Sequence, residues 1–262
     1  MAGSRAHSIR TLILVMVTIV ITGILVARSY YGNINRSVDP RVLHARELYS
    51  HYDQFARAGD FPGIFLLLDS IEDIYRKTAH YSRSFEVGVV ENNRAAALLT
   101  LALYGDSIPR GRNPFHELPP DSVVNMAMNH ALNAIQIYET WPLRYKGFSG
   151  EEIRKILEPG FVDGLNPGDP SMVERIISNR VGEIQSALRE NDRRLSVCHT
   201  NLGVIYRLQG NHREAVGQYE KAIALWDRNL EAENNLNRIL NKPLKKRNIL
   251  QKIFPPERGV SH

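Results

Sequence analysis

Hydrophobic residues recur every three or four positions along most of the chain after Asp39, which is the spacing of one face of an α-helix. No segment shows the sustained alternation of apolar and polar residues that is typical of a β-strand. The pattern therefore predicts an all-α fold. The apolar positions that mark the first two predicted helices are Leu43, Leu48, Tyr52 and Phe55, followed by Phe65, Leu68, Ile71 and Tyr75.

Glycine and proline divide the predicted helices into hairpins. The first two helices turn at Gly59 and Asp60, and a third helix is predicted from Phe85 to Tyr104. A long loop rich in proline follows. The fourth helix is expected to begin after Asp121, a candidate N-cap, and to end at Trp141.

The segment 146–170 is rich in glycine and proline and is predicted to be a linker, in which only Glu151 to Leu157 could form a helix. The next helix is expected to begin at Pro170, because proline is well tolerated in a first turn. Its apolar positions lie on one stripe, formed by Val173, Ile177, Val181, Ile184 and Leu188.

An uninterrupted apolar run precedes this helical part, from Thr11 to Ala27. At 1.5 Å per residue it would extend about 26 Å, enough to cross a thin hydrocarbon core. We therefore predict a short tail over 1–10 and an N-terminal transmembrane helix over 11–28. A cleaved signal peptide and a buried core helix are the alternatives.

Arg5 and Arg10 favour retention of the short tail on the cytoplasmic side, so the remainder is expected to be extracytoplasmic, and periplasmic if the source is bacterial. Arginines on the other side of the apolar run, beginning with Arg28, weaken this bias and leave the orientation open.

Composition agrees with one globular domain plus accessory segments. The chain has 262 residues, of which 43% are hydrophobic and 23% are charged. A net charge of +5 is too modest to indicate a nucleic acid partner, and none is expected. The single cysteine, Cys198, excludes an internal disulfide and a four-cysteine zinc site.

The most informative stretch runs from Ser196 to Asn229 and resembles a tetratricopeptide repeat. The matching positions are Leu202, Gly203, Tyr206, Gly210, Ala215, Tyr219 and Ala222. Asp227 departs from the helix-breaking proline of the family. The resemblance implies two antiparallel helices per unit, with small residues where the helices cross, and units that stack into a solenoid.

The flanking segments extend this resemblance less clearly. Leu230 to Asn241 looks like the closing helix that an open stack requires. Upstream, residues 29–145 are expected to hold divergent hairpins, because Ala127, Ala131 and Ala134 repeat the spacing of the second helix of the clear unit. A plain irregular bundle is the alternative there. The repeat-containing region is predicted over 171–241, and a basic tail over 242–262.

Stacked repeats of this family hold peptides or partner helices on a concave face made by the first helix of each unit. Lysine and asparagine stand at Thr200 and Val204 in members that clamp a C-terminal carboxylate, so that mode is not expected here. An apolar strip edged by Arg207 and Arg238 suits an acidic or amphipathic helix. The resemblance implies a partner-binding groove at Val197, Thr200, Val204, Arg207, Leu208, Asn234, Arg238 and Asn241.

No residue pattern indicates catalysis. The nine histidines lack metal-ligand spacing, there is no phosphate-binding loop, and acidic groups such as Asp69 with Glu72 and Asp73 are expected to be solvated. We therefore predict no metal and no cofactor, and expect a membrane-anchored scaffold for protein–protein interaction in a cell-envelope assembly. The alternatives are an envelope enzyme with a site in the loops at 105–120 and 147–170, and a structural spacer that self-associates into a homo-oligomer.

Overall fold

The computed structural model describes residues 38–165 and 170–246. In these two ranges the chain is all-helical and has no β-strand, which confirms the predicted fold class. The predicted tail over 1–10, the predicted anchor over 11–28 and most of the basic tail lie outside the described residues. None of the described helices is long and apolar enough to cross a membrane.

Ten α-helices and three short 3-10 helices form the described part of the chain. The α-helices are α1 Leu43–Ser50, α2 Tyr52–Ala58, α3 Phe61–Lys77, α4 Phe85–Tyr104, α5 Pro120–Thr140, α6 Gly150–Phe161, α7 Pro170–Arg189, α8 Asn191–Leu208, α9 His212–Leu225 and α10 Leu230–Ile239. The 3-10 helices are Gly105–Ser107, Arg110–Arg112 and Trp141–Arg144.

The first hairpin pairs α1 and α2 with α3. The single helix predicted before Gly59 is interrupted at His51, which separates α1 from α2. Gly59 adopts a φ of 61°, a left-handed conformation that glycine takes without steric cost, and so ends α2. Asp60 then caps α3, because its side chain accepts a hydrogen bond of 3.1 Å from the Gly63 N–H.

The second hairpin pairs α4 with α5. Helix α4 has the predicted bounds, and the long loop after it contains two of the 3-10 helices. Helix α5 begins at Pro120, so the expectation that Asp121 is the N-cap is wrong. The fixed φ of proline suits the first turn of a helix, and Asp121 instead lies within that turn.

The segment predicted to be a linker contains a helix that belongs to the core. Ser149 and Glu152 form a reciprocal capping box, with the Ser149 N–H 2.7 Å from Oε2 of Glu152, and start α6. The side chains of Ile153, Leu157 and Phe161 are buried, and α6 packs against α7. Helix α6 therefore continues past the predicted end at Leu157, and its final turn is kinked at Pro159 and Gly160.

The third hairpin pairs α8 with α9, and the residues that carry the family resemblance lie where these helices cross. Ala215, Tyr219 and Ala222 are fully buried on α9. Gly203 of α8 faces the Tyr219 ring so closely that a Cβ atom there would lie 2.5 Å from Cε1. Gly210, with a φ of 78°, makes the turn between the two helices.

The hairpins pack in sequence. Helix α3 contacts α4, and α5 contacts α8, while the α6–α7 pair is inserted between α5 and α8 in the chain. Helix α10 covers α9 and α8. Asn229 connects them: its side chain accepts from the Ala232 N–H at 3.0 Å and donates to Ser196 Oγ and Thr200 Oγ1, both at 2.8 Å.

Candidate functional site

The first helices of the three hairpins lie side by side and form one face, which we call the groove. Asn93 of α4 donates a hydrogen bond of 3.1 Å to the hydroxyl of Tyr49 on α1. On the other side of α4, Asn201 of α8 donates to the side-chain oxygen of Asn92 at 2.9 Å. These bonds fix the spacing of α1, α4 and α8 along the groove.

A cavity of about 430 Å³ opens between the same three helices. It falls in the range of volumes that ligand and side-chain pockets occupy. Four aromatic and four aliphatic residues form its apolar wall, and some of them belong to α3 and α5. The lining residues that matter here are Tyr49, Tyr75, Phe85, Val89, Tyr138 and Val197.

Two of the charged residues at this cavity already have partners. Glu86 accepts hydrogen bonds from Arg180 of α7, whose guanidinium is fully buried. Arg193 pairs with Glu190 at 3.2 Å and lies 5.6 Å above the ring of Trp226. Their charges are therefore compensated within the fold.

Arg194 differs from its neighbour. Its guanidinium lies 4.9 Å from the centre of the Phe85 ring, and its Nη1 atom is buried without a hydrogen-bond partner. The cavity therefore contains a cation whose hydrogen-bonding capacity is incompletely used. An unsatisfied buried donor is uncommon in proteins, because it loses its hydration without replacement.

The structure distributes the sequence-predicted groove residues of α8 over three environments. Val197 is 36% exposed and borders the cavity. Thr200 and Val204 are buried beneath the groove surface, and Thr200 bonds to Asn229. Arg207 is half-buried and Leu208 is exposed at the end of α8.

The predicted groove residues of α10 contact the chain itself. The Asn234 side chain accepts a hydrogen bond of 2.8 Å from the backbone N–H of Lys245 and donates one of 3.0 Å to the Lys245 carbonyl. The start of the basic tail therefore lies along α10. Arg238 is exposed and donates to Asn235 at 3.0 Å. Asn241 follows the helix with a φ of 54°.

Sequence reasoning missed Arg180, Arg193 and Arg194. The signal for Arg180 is its position inside the apolar stripe of α7, between Ile177 and Ile184, where a charge needs a buried partner. Arg193 and Arg194 have no comparable signal, because they precede the segment that resembles the repeat.

Cys198 and His199 occupy buried positions on α8. Burial raises the pKa of the Cys198 thiol to about 12, so it is protonated and unreactive at neutral pH. Burial lowers the pKa of His199, whose Nδ1 lies 2.7 Å from Gln218 Oε1. Within 38–165 and 170–246, no three side chains of His, Cys, Asp or Glu form a group that could hold a metal ion.

Of the acidic residues that we expected to be solvated, Asp69 and Asp73 are exposed, whereas Glu72 is largely buried in ion pairs that connect α3 with α4. Arg94 bonds both Asp69, at 2.6 Å, and Glu72, which Arg76 also contacts. Burial raises the pKa of Glu72, but Arg94 and Arg76 outweigh this effect and hold it below its ordinary value. Glu72 therefore remains an ionised structural group.

A second cavity, of about 410 Å³, lies at the loop that was considered for an enzyme site. Asp106, Arg110 and His116 line it. The His116 Nδ1 atom is 2.9 Å from the backbone oxygen of Asn113, and its Nε2 atom is 3.9 Å from Glu117. These contacts are local to the loop and do not form a nucleophile–base pair.

Compared with the models of known families, with curated proteins and with solved structures, the chain has no match.

Proposed function

We propose that this chain is a non-catalytic scaffold of the tetratricopeptide-repeat kind that binds a protein partner in its groove. The hairpin α8–α9 has the small-residue crossing that the resemblance implies, at Gly203 against Tyr219. The hairpin α4–α5 precedes it in the stack, and α10 closes it. Fold class and packing support the repeat assignment without requiring a catalytic site.

The single observation that carries this proposal is the open cavity between α1, α4 and α8. Its wall combines aromatic rings with aliphatic side chains, and in it Val197 is 36% exposed and Tyr49 is 39% exposed. Exposed apolar surface bordered by polar groups is typical of protein-binding sites. The asparagine bonds on either side of α4 keep this surface rigid, so little conformational entropy is lost on binding.

The expected partner is an acidic or amphipathic segment. Arg194 lines the cavity, and Arg207 lies farther along α8. Cations beside an apolar surface attract a segment with acidic residues on one side and apolar residues on the other.

The membrane anchor is part of the proposal. The apolar run from Thr11 to Ala27 would tether the helical part to a membrane, most simply with that part extracytoplasmic. A tethered scaffold suits a cell-envelope assembly, because the anchor confines partner search to the membrane surface.

Affinity capture with matched variants tests the docking proposal. The full-length tagged chain is purified from membranes beside Val197→Glu in the groove and Leu132→Glu on α5. The two side chains are 36% and 43% exposed, but Leu132 lies outside the groove. We expect a stoichiometric partner that is retained by Leu132→Glu and lost from Val197→Glu.

Loss of the partner from both variants, or from neither, would contradict docking in the groove. A particle mass that rises with concentration and falls in Val197→Glu would favour the self-associating spacer instead. An activity that depends on Asp106 and His116 would favour the enzyme, whose cavity these residues line.

A further inference from the structure

Arg194 is the one cavity-lining arginine of α8 that has no carboxylate partner among the described residues. Its neighbour Arg193 is paired with Glu190, and the cavity carboxylate of Glu86 is bound by Arg180. Arg194 lies beside the Phe85 ring, and its Nη1 atom has no acceptor among the described residues. Among the described residues, no carboxylate therefore balances the positive charge of this one guanidinium.

The hydroxyls of Tyr138 and Tyr49 do not supply a negative charge to balance Arg194. Burial raises the pKa of Tyr138 above its ordinary value, so the phenol is neutral at neutral pH. Tyr49 accepts a hydrogen bond from Asn93, which leaves its own hydroxyl hydrogen available to another acceptor. Arg194 and Tyr49 thus both line the cavity as hydrogen-bond donors.

The shape of the cavity restricts the anion. Tyr75, Phe85 and Val89 form apolar walls, so a small hydrated anion would leave most of the volume unfilled. A carboxylate attached to a peptide that also inserts a large apolar side chain would satisfy both features. Guanidinium and carboxylate groups form paired, charge-assisted hydrogen bonds, which are stronger than bonds between neutral groups.

We infer that Arg194 receives a carboxylate of the docked partner segment, while an adjacent large apolar side chain of that segment fills the aromatic cavity. The inference rests on the proposed docking function and names the chemistry of its anchor. The carboxylate is that of an acidic side chain of the segment, and a chain terminus, which would present the same group to Arg194, is an outcome that the test distinguishes.

The test uses two matched pairs of short peptides and the full-length chain in detergent micelles. N-acetyl-Phe-Glu-amide is compared with N-acetyl-Phe-Gln-amide, and N-acetyl-phenylalanine with its amide. Binding is followed by the methyl signals of Val89 and Val197, which line the cavity. We expect N-acetyl-Phe-Glu-amide to bind about tenfold more tightly than N-acetyl-Phe-Gln-amide.

Variants then test whether Arg194 is responsible for the preference for the acid over the amide. Arg194→Gln is expected to remove the difference between acid and amide, whereas Arg194→Lys retains the charge and most of the difference. Arg193→Gln is the matched control, because Arg193 already has Glu190. Its spectrum and its preference for the acid should remain close to those of the unmodified chain.

The outcomes distinguish an acidic side chain from a chain terminus, and they distinguish the carboxylate inference from the docking proposal. A preference shown by the glutamate pair supports an acidic side chain as the source, and a preference confined to acetyl-phenylalanine would overturn that assignment in favour of a chain terminus. Equal binding of acid and amide, or equal loss of the preference in Arg193→Gln and Arg194→Gln, would overturn the inference. If the inference fails in this way but partner capture still depends on Val197, the docking function stands. A preference for the carboxylate without such capture would reject the docking function and not the carboxylate site.

Discussion

Arg180 of α7 and Glu86 of α4 form an ion pair that is buried between two helices 94 residues apart in sequence. The guanidinium is 2% exposed and the carboxylate 10%, and Arg180 also lies 4.0 Å from the centre of the Tyr81 ring. Burial opposes the charge of Arg180, but the carboxylates of Glu86 and Glu183 outweigh it and raise the Arg180 pKa. This pair attaches the inserted α6–α7 hairpin to the stack that forms the groove.

Breaking this pair should destabilise the protein strongly. Replacing Arg180 by Met leaves Glu86 as an uncompensated buried charge, with an expected loss of about 3–5 kcal/mol in the free energy of unfolding. The double variant Arg180→Met, Glu86→Gln should lose less than the sum of the single changes. Urea denaturation of the full-length chain measures both. The exposed Arg154–Glu174 pair is the control, and Arg154→Met should hardly move the midpoint.

Stability at low pH should depend on Glu183. Burial by itself raises the pKa of Glu183, but its hydrogen bond of 2.6 Å with Arg46 and the nearby Arg180 lower it below the ordinary value of 4.5. Its contribution is therefore complete above about pH 4.5, where the carboxyl is ionised in both states, and is lost as the pH falls through the folded pKa.

We expect Glu183→Gln to unfold more easily at pH 7, by about 1–3 kcal/mol, and to show a shallower fall in Tm between pH 5 and pH 3. Asp73→Asn removes an exposed carboxylate that pairs with Lys77 at 2.7 Å, and serves as the control. Parallel Tm curves for the unmodified chain and Glu183→Gln would contradict this role.

Two glycines in the third hairpin should respond to alanine with opposite signs. A Cβ at Gly203 would meet the buried ring of Tyr219 at 2.5 Å, so Gly203→Ala should cost about 1–3 kcal/mol by overpacking. Gly217 lies in α9 with no atom within 4 Å of an added Cβ, so Gly217→Ala should stabilise by about 0.5–1 kcal/mol. Thermal unfolding distinguishes them, and a loss of stability in both would refute close packing as the cause.

The start of the basic tail should detach when its contact with α10 is removed. The Lys245 N–H donates to Asn234 Oδ1 at 2.8 Å, which should slow exchange of this amide with solvent. We expect Asn234→Ala to abolish the protection. Asn237→Ala should retain it, because the Asn237 side chain donates to the carbonyl of Pro243 and not to Lys245. Hydrogen exchange at Lys245 measures the difference, and unchanged protection in Asn234→Ala would argue against the contact.

The helices could be predicted from the sequence, because local spacing and turn residues define them. Helix α4 has the predicted bounds, and Gly59 and Gly210 adopt the left-handed conformations that end or turn helices. The resemblance to the tetratricopeptide repeat implied small residues where the two helices cross, and Gly203 lies against Tyr219 there.

Contacts between distant segments could not be predicted in this way. The partner of Arg180 lies on another hairpin, and Lys245 bonds to a side chain 11 residues away that we had assigned to the groove. The cavity depends on the meeting of α1, α4 and α8, so only the packed structure identifies Arg194 as the cation within it. Val197 is the sequence-predicted groove residue that lines this cavity.

Site-specific photo-crosslinking in intact membranes tests the central claim most directly. A photoreactive residue is introduced at Val197 in one full-length chain and at Leu132 in another, and crosslinked products are identified by mass spectrometry. The docking account predicts a discrete protein partner crosslinked from Val197, absent from Leu132 and reduced by Arg207→Glu. Only intramolecular products, or the same products from both positions, would contradict it.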